Sequence, residues 1–228
     1  PWDEIEYFKL AVAHTKNDPD IPASVHEGCN GCHTPMAFLA GDVPPPDPET
    51  NPRANEAVGC DVCHSIKGFE GELPFNHNYI IEPGGAKFTA RKGKEQSSNH
   101  EIETSDFFRK AEFCGTCHNE QSPHGVWVKS THLELEEGPY YAEGVLCQDC
   151  HMPDAPGKTA KMGSRYDNAK MHLFNGAHDP GKIRGTIEIR MVADRQDYVP
   201  GEPLVLTVTL YNQKTGHKFP TGSVEDRI

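Results

Sequence analysis

Four stretches decide how this chain reads: Cys29-Asn-Gly-Cys32-His33, Cys60-Asp-Val-Cys63-His64, Cys114-Gly-Thr-Cys117-His118 and Cys147-Gln-Asp-Cys150-His151. They use all 8 cysteines, and a His follows the second Cys of every pair. Cys-x-x-Cys-His is the attachment site of c-type haem. Its two thiols add to the porphyrin vinyl groups as thioethers, and the adjacent imidazole becomes the proximal iron ligand. The spacing suits that chemistry because one short turn must present two sulfurs and a nitrogen to the same porphyrin edge. Three other readings compete. A disulfide framework leaves the four histidines unexplained. Structural zinc could take two pairs per metal as all-cysteine sites. A redox pair of the thioredoxin kind needs a single motif in a βαβ setting. Four repeats with no Cys left over favour attachment. They predict four haem c groups, held by Cys29, Cys32, Cys60, Cys63, Cys114, Cys117, Cys147 and Cys150, with His33, His64, His118 and His151 as proximal ligands.

The rest of the composition agrees. The 228 residues suit one domain, or one and a smaller one. Hydrophobic residues make up 36% of the chain, with 21 Gly and 19 Pro, and mean hydropathy is −0.65. No run of about 18 apolar residues occurs, so these residues include no transmembrane helix. The 10 Phe, 7 Tyr and 2 Trp argue against wholesale disorder. A net charge of −12 argues against nucleic acid as a partner. A folded chain this thin in apolar side chains implies that something else fills its interior, and four flat apolar porphyrins would do so. Haem is joined to apocytochrome c outside the cytoplasm, so an exported, periplasmic or extracellular protein is expected. The sequence opens at Pro1 without a charged-then-apolar leader, which reads as a mature chain freed of its signal peptide. With every Cys used, a lipidated N-terminal Cys is not expected as an anchor.

Along the chain, Ile5, Phe8 and Val12 recur at helical spacing, which predicts a helix over 3–16 before the first motif. Segments 41–53 and 82–98 are polar or rich in Pro and Gly and read as loops. Ser105-Asp106 can cap a short helix feeding the third motif, and 125–137 reads as a further helix. From Ile183 the pattern changes to alternation: Ile187, Ile189 and Met191 in one run, Leu204, Leu206, Val208 and Leu210 in another, with Pro200-Gly201 as a turn between them. The expected fold is therefore a mainly α and irregular multihaem cytochrome c fold with a short antiparallel β segment at the C-terminus. The expected division is 1–182, carrying the haems, and 183–228, rich in β structure. Two strands do not make a stable domain alone. The β segment should pack on the haem region, be completed by a partner, or continue beyond residue 228.

Each iron needs a sixth ligand or an open position. Nine histidines lie outside the motifs: His14, His26, His77, His100, His124, His132, His172, His178 and His217. They suffice for four bis-His irons. His26, His100, His172 and His217 are the favoured distal ligands, with His14, His132 and His178 in reserve. His26 stands three residues before Cys29, too close to reach around its own haem, so it would serve another. His100 precedes the helix feeding the third motif. His172 sits in the apolar run Met-His-Leu-Phe. His217 lies in Thr-Gly-His-Lys-Phe-Pro-Thr-Gly, where Gly and Pro can hold the backbone rigidly. Bis-His ligation implies low potentials.

Several stretches resemble the multihaem cytochromes that include nitrifier tetrahaem cytochromes and octahaem reductases. They are Ser24-Val25-His26, Ala111-Glu112-Phe113-Cys114-Gly115-Thr116-Cys117-His118, Cys147-Gln148-Asp149-Cys150-His151-Met152-Pro153, His172-Leu173-Phe174-Asn175-Gly176 and Gly216-His217-Lys218-Phe219-Pro220-Thr221-Gly222. The resemblance implies closely stacked haems and adds weight to His100, His172 and His217 as distal ligands. It also implies that the Gly-His-x-Phe-Pro-Thr-Gly segment belongs to a partial β-sandwich continuing past the residues given.

These readings point to an electron carrier with no catalytic residue, exchanging electrons with other redox proteins. The alternative is a multihaem oxidoreductase of nitrite, hydroxylamine or tetrathionate type, which requires one open iron and acid–base groups beside it. The chain also resembles tetrahaem nanowire subunits in haem number and size. On that reading its partners would be further copies of itself, in a homopolymeric filament.

Overall fold

The short elements of this chain follow from its punctuation by Cys pairs, Gly and Pro. The computed structural model describes residues 30–42, 57–93, 97, 99–158, 161–177 and 179–223. The helix expected over 3–16, Cys29, His26, and the reserve histidines His14 and His178 lie outside the described residues. The backbone divides into two compact units, Pro1–Val128 and Lys129–Ile228. The change of sequence pattern at 183 falls inside the second.

In the first unit, residues 30–33 are helical, and Pro35 starts α1 (Pro35–Leu39), whose Ala37 is fully buried. Gly59 precedes α2 (Cys60–Cys63), a single turn that buries Val62. An antiparallel pair follows, β1 (Ile66–Phe69) against β2 (Tyr79–Ile81), with Ile66 opposite Ile81 and Phe69 opposite Tyr79. β3 (Lys87–Thr89) pairs in parallel with β4 (Ile102–Thr104). β3 lies within a stretch expected to be loop; three residues are too few to show alternation. Ser105 caps a 3-10 turn (Asp106–Arg109), its hydroxyl accepting from the Phe107 N–H at 3.3 Å, as its position suggests. α3 (Glu112–His118) carries the third motif, and β5 (Asn119–Gln121) leaves it. β6 (Trp127–Ser130) crosses the boundary between the units. The helix expected over 125–137 is thus a strand in its first half: Trp127 and Val128 favour pleated backbone and pair with β5.

In the second unit, α4 (Thr131–Glu136) buries His132, Glu134 and Leu135, and α5 (Pro139–Ala142) starts at Pro139 after Gly138. α6 (Cys147–His151) is the fourth motif, its start held by the Asp149 carboxylate accepting from the Leu146 N–H at 3.0 Å. β7 (Asp154–Gly157) and β8 (Tyr166–Lys170) form an antiparallel pair. Asp179 caps α7 (Pro180–Ile183) through two N–H groups. β9 (Ile187–Ala193) and β10 (Leu206–Asn212) then pair antiparallel, with Ile189 opposite Leu210 and Met191 opposite Val208. The alternation read from the sequence is present, but its apolar face is open: Ile189, Met191, Val208 and Leu210 are 60%, 65%, 51% and 62% exposed.

Little apolar side chain is packed inside. Among the described residues the buried apolar set is Ala37, Ala57, Val62, Ile66, Tyr79, Phe88, Ala111, Leu135 and Ala169, and four of its nine members are alanines. A chain of this size ordinarily buries some two-thirds to three-quarters of its surface. Side chains alone supply a thin interior here.

Candidate haem sites

The second and fourth motifs are built alike. α2 and α6 each wind Cys-x-x-Cys into one helical turn, so sulfurs three residues apart share a side, and the His follows at the helix end. His64 Nδ1 lies 2.6 Å from the Phe88 carbonyl oxygen, and His151 Nδ1 lies 2.6 Å from that of Asn175. A carbonyl only accepts, so Nδ1 carries the proton in both rings and Nε2 carries the lone pair that a metal takes. In both cases the carbonyl lies 24 residues downstream. The backbone closes the same junction: Phe88 N–H donates to the His64 carbonyl at 2.7 Å, and Phe174 N–H to that of His151 at 3.0 Å. A strand lysine then meets the aspartate inside each motif, Lys87 with Asp61 at 2.7 Å and Lys170 with Asp149 at 3.2 Å. Burial is the main reason why His151 takes a second proton less readily than an ordinary His. Lys182 and His217 act in the same direction, against the Asn175 carbonyl. A neutral imidazole is the form that ligates metal.

Within the first unit the motifs lie close together. Burial first, then the neighbouring Cys117 and Cys60, pushes the Cys63 thiol up to about 11, so cysteines of the second and third motifs are near enough to interact. Burial first, then Cys117 and Cys32, raises the Tyr79 phenol, which stands near cysteines of both the third and the first motif. The segment 74–79 threads through this group. Tyr79 donates its hydroxyl to the Gly31 carbonyl at 2.9 Å, His77 N–H donates to the Thr116 carbonyl at 2.7 Å, and the Asn119 amide donates to the Pro74 carbonyl at 2.9 Å. Gly31 and Thr116 are the inner residues of the first and third motifs. The His77 ring occupies the space where a Cβ on Gly31 would stand, and packs edge-on against Phe38 at 4.9 Å. Sequence reading counted His77 as one spare imidazole among nine. Its setting in Phe75-Asn-His-Asn-Tyr79, between two aromatics, was the available signal.

The predicted distal ligands fare differently. His217 is brought to the fourth motif: its ring lies 6.5 Å from that of His151, centre to centre, with the planes 18° apart. Its Nδ1 is directed to the Lys218 carbonyl at 2.8 Å, again leaving Nε2 with the lone pair. His172 is exposed, with Nδ1 on the Lys170 carbonyl at 3.1 Å and its ring 5.9 Å from Phe174. His100 is exposed too, with Nδ1 3.0 Å from the Glu101 carbonyl. The reserve residue His132 is 1% exposed, and its Nε2 lies 3.7 Å from the Glu136 carboxylate. Phe88 and Asn175, whose carbonyls orient the His64 and His151 rings, carry no side-chain signature in the sequence.

The residues present fit haem c. Cys pairs on single turns, imidazoles oriented through Nδ1 and an interior short of apolar side chains are what a covalently attached porphyrin requires. The His151 and His217 rings, 6.5 Å apart centre to centre, are near enough that both could hold one haem iron. The zinc reading needs sulfurs that converge, and no group of three or more His, Cys, Asp or Glu able to hold an ion occurs among the described residues. Nor does any described helix have the length and apolarity to cross a membrane.

Comparison with known proteins agrees. Residues 3–65 match the family model described as cytochrome c554 and c-prime, and residues 99–185 match the NapC/NirT cytochrome c family, N-terminal region. No curated protein matches the sequence. In fold the chain is similar to a penta-haem cytochrome c552 from Thermochromatium tepidum, with a TM-score of 0.57 and 22% identity, over 86% of this chain and 52% of that one. It thus spans about half the length of that relative. Taken with the four attachment motifs, these likenesses support a multihaem c-type cytochrome.

Proposed function

We propose that the chain carries four haem c groups, one on each Cys-x-x-Cys-His segment, and conducts electrons among them outside the cytoplasm without reacting with a substrate. The observation that carries this reading is the pairing of His151 with His217. On this reading His151 and His217 are the two imidazole ligands of the fourth haem, which leaves that iron no place for a substrate. Haem supplies the one-electron exchange between ferric and ferrous iron. The protein's share is to hold the irons six-coordinate and near one another. The meeting of the first and third motifs at the 74–79 segment, through the Gly31 and Thr116 carbonyls, supports close spacing of their haems. Bis-His ligation implies low potentials, since a Met ligand would raise them. The partners are redox proteins that exchange electrons at an exposed haem edge, where the exposed Cys60 and Cys150 mark accessible attachment points.

The test is made on the holoprotein. Intact mass and pyridine haemochrome should give four haems per chain; any other number removes the count. The ferric EPR spectrum should contain only low-spin signals, and the ferrous protein should not bind carbon monoxide. A native high-spin haem that binds ligands would overturn the carrier reading in favour of the oxidoreductase.

A further inference from the structure

We propose that Glu134, on α4, is a positioning residue that locks His217 in its ligating orientation. The inference rests on the reading of His217 as a haem ligand.

The peptide group that follows His217 is held on both sides. Its carbonyl accepts from the Asn212 amide at 2.8 Å and the Thr215 hydroxyl at 2.7 Å. Its N–H, which belongs to Lys218, donates to Glu134 Oε2 at 3.2 Å. The same oxygen accepts from the Thr221 hydroxyl at 2.5 Å, and Oε1 accepts from the Ser130 hydroxyl at 3.2 Å. One carboxylate therefore ties residues 218 and 221 of the loop to α4. Thr131 and Thr221 add a hydroxyl contact at 3.0 Å. The imidazole completes the lock, because its Nδ1 meets the Lys218 carbonyl at 2.8 Å. A plane pinned at both its polar ends, with the ring pinned to the next carbonyl, leaves the ring little freedom to turn.

Packing explains why the loop lies on α4 at all. A Cβ on Gly216 would come within 2.9 Å of Leu135 Cδ1, and one on Gly138 within 2.7 Å of the Gly216 carbonyl oxygen. Both glycines allow an approach that any other residue would block. Glu134 is only 6% exposed. Burying a carboxylate is costly unless it is fully hydrogen-bonded. A loop that needed only to be covered could be covered by an apolar side chain. A charged acceptor at the ligand-bearing peptide makes sense where the direction of the bonds matters, since charge-assisted bonds are shorter and stronger. Partners of metal ligands commonly contribute 10–100-fold to metal affinity, roughly the scale expected here.

The experiment compares the native holoprotein with the variants H217A, E134A, E134Q and T221V, all loaded with haem. Carbon monoxide uptake by the ferrous protein and ferric EPR count the irons that have lost a ligand, and the rate of carbon monoxide binding reports release of the imidazole. H217A should bind one carbon monoxide per chain. E134A should open the same single haem, with ligand release faster on the order of tenfold or more. E134Q, whose amide oxygen still accepts from Lys218 and Thr221, should stay close to native. T221V, which removes one donor to Glu134, should lie between. A general loss of structure would open several haems together, so selectivity for one haem is the signature of positioning. If H217A opens one iron while E134A and T221V bind no carbon monoxide, the role of Glu134 is refuted and the ligand reading stands. If H217A opens no iron, the ligand reading fails and the proposal falls with it. Should E134A fail to fold, T221V decides: native ligand-release kinetics in that variant overturn the proposal.

Discussion

At the scale of single residues, five of the described histidines share one habit. His64, His151, His100, His172 and His217 each place Nδ1 against a backbone carbonyl. A carbonyl can only accept, so the habit selects one tautomer and reserves Nε2 for a metal. Beside it stands a residue whose importance the motif conceals. The inner positions of Cys-x-x-Cys-His are free as far as haem attachment is concerned, which would make Gly31→Ala harmless. The His77 ring fills the place of that Cβ, and the Gly31 carbonyl accepts the Tyr79 hydroxyl. G31A should therefore destabilise the holoprotein by about 1–3 kcal/mol, as overpacking does, while intact mass shows haem attachment unchanged. A denaturation midpoint equal to that of the native protein would show that His77 moves aside without cost.

At the scale of elements, the loop joining β9 to β10 is closed by Asp194. The Tyr198 hydroxyl, chiefly, and the backbone N–H groups of Val205 and Arg195 hold its carboxyl below the ordinary Asp value; partial desolvation opposes them. Because the folded value is the lower one, the carboxylate stabilises the loop at every pH above the ordinary value of about 3.9, and that support disappears as pH falls through the lowered value. In an NMR titration the amide resonances of Arg195 and Val205 should shift together, with a midpoint below about 3.9. D194N should speed hydrogen exchange across 194–205 at neutral pH relative to the native chain. A midpoint at or above the ordinary value, or unchanged exchange in D194N, would remove this role. The two strands themselves were legible, because seven residues of alternation outweigh local noise. β6 was not: a four-residue strand followed at once by a helix imitates one longer helix, and only pairing with β5 separates them.

For the whole molecule, the thin interior carries the clearest consequence. Among the described residues, the largest fully buried side chains include His132, Asn30, Asn119, Thr34 and Thr116 alongside prolines, rather than Phe and Leu. Large apolar residues such as Met162, Leu173 and Phe174 are exposed. Such an interior does not offset the entropy of ordering the chain, so the haem-free polypeptide should not fold. Its far-UV circular dichroism should lack the helical signal of the holoprotein, and a protease that spares the holoprotein should degrade it. A protease-resistant, cooperatively unfolding apoprotein would show that side chains suffice. Net charge enters at this scale as well: the figure of −12 counts side chains alone, and haem propionates and irons alter it.

By itself the sequence determined the chemistry that is local in the chain. Haem attachment needs two sulfurs and an imidazole within five consecutive residues, so spacing alone pointed to the cofactor class and, by the same logic of short range, to the alternating strands and the Ser105 cap. The tertiary structure decided everything that depends on residues far apart in sequence. It placed three motifs in one unit and the fourth in another, threaded His77 and Tyr79 between the first and third, and set His217 near His151 across 66 positions. It also supplied the carbonyls of Phe88 and Asn175 and the carboxylate of Glu134. The reason is physical. A backbone carbonyl is the same group in every residue, and a histidine's partner is chosen by which surfaces pack together, so neither leaves a mark in the order of the side chains.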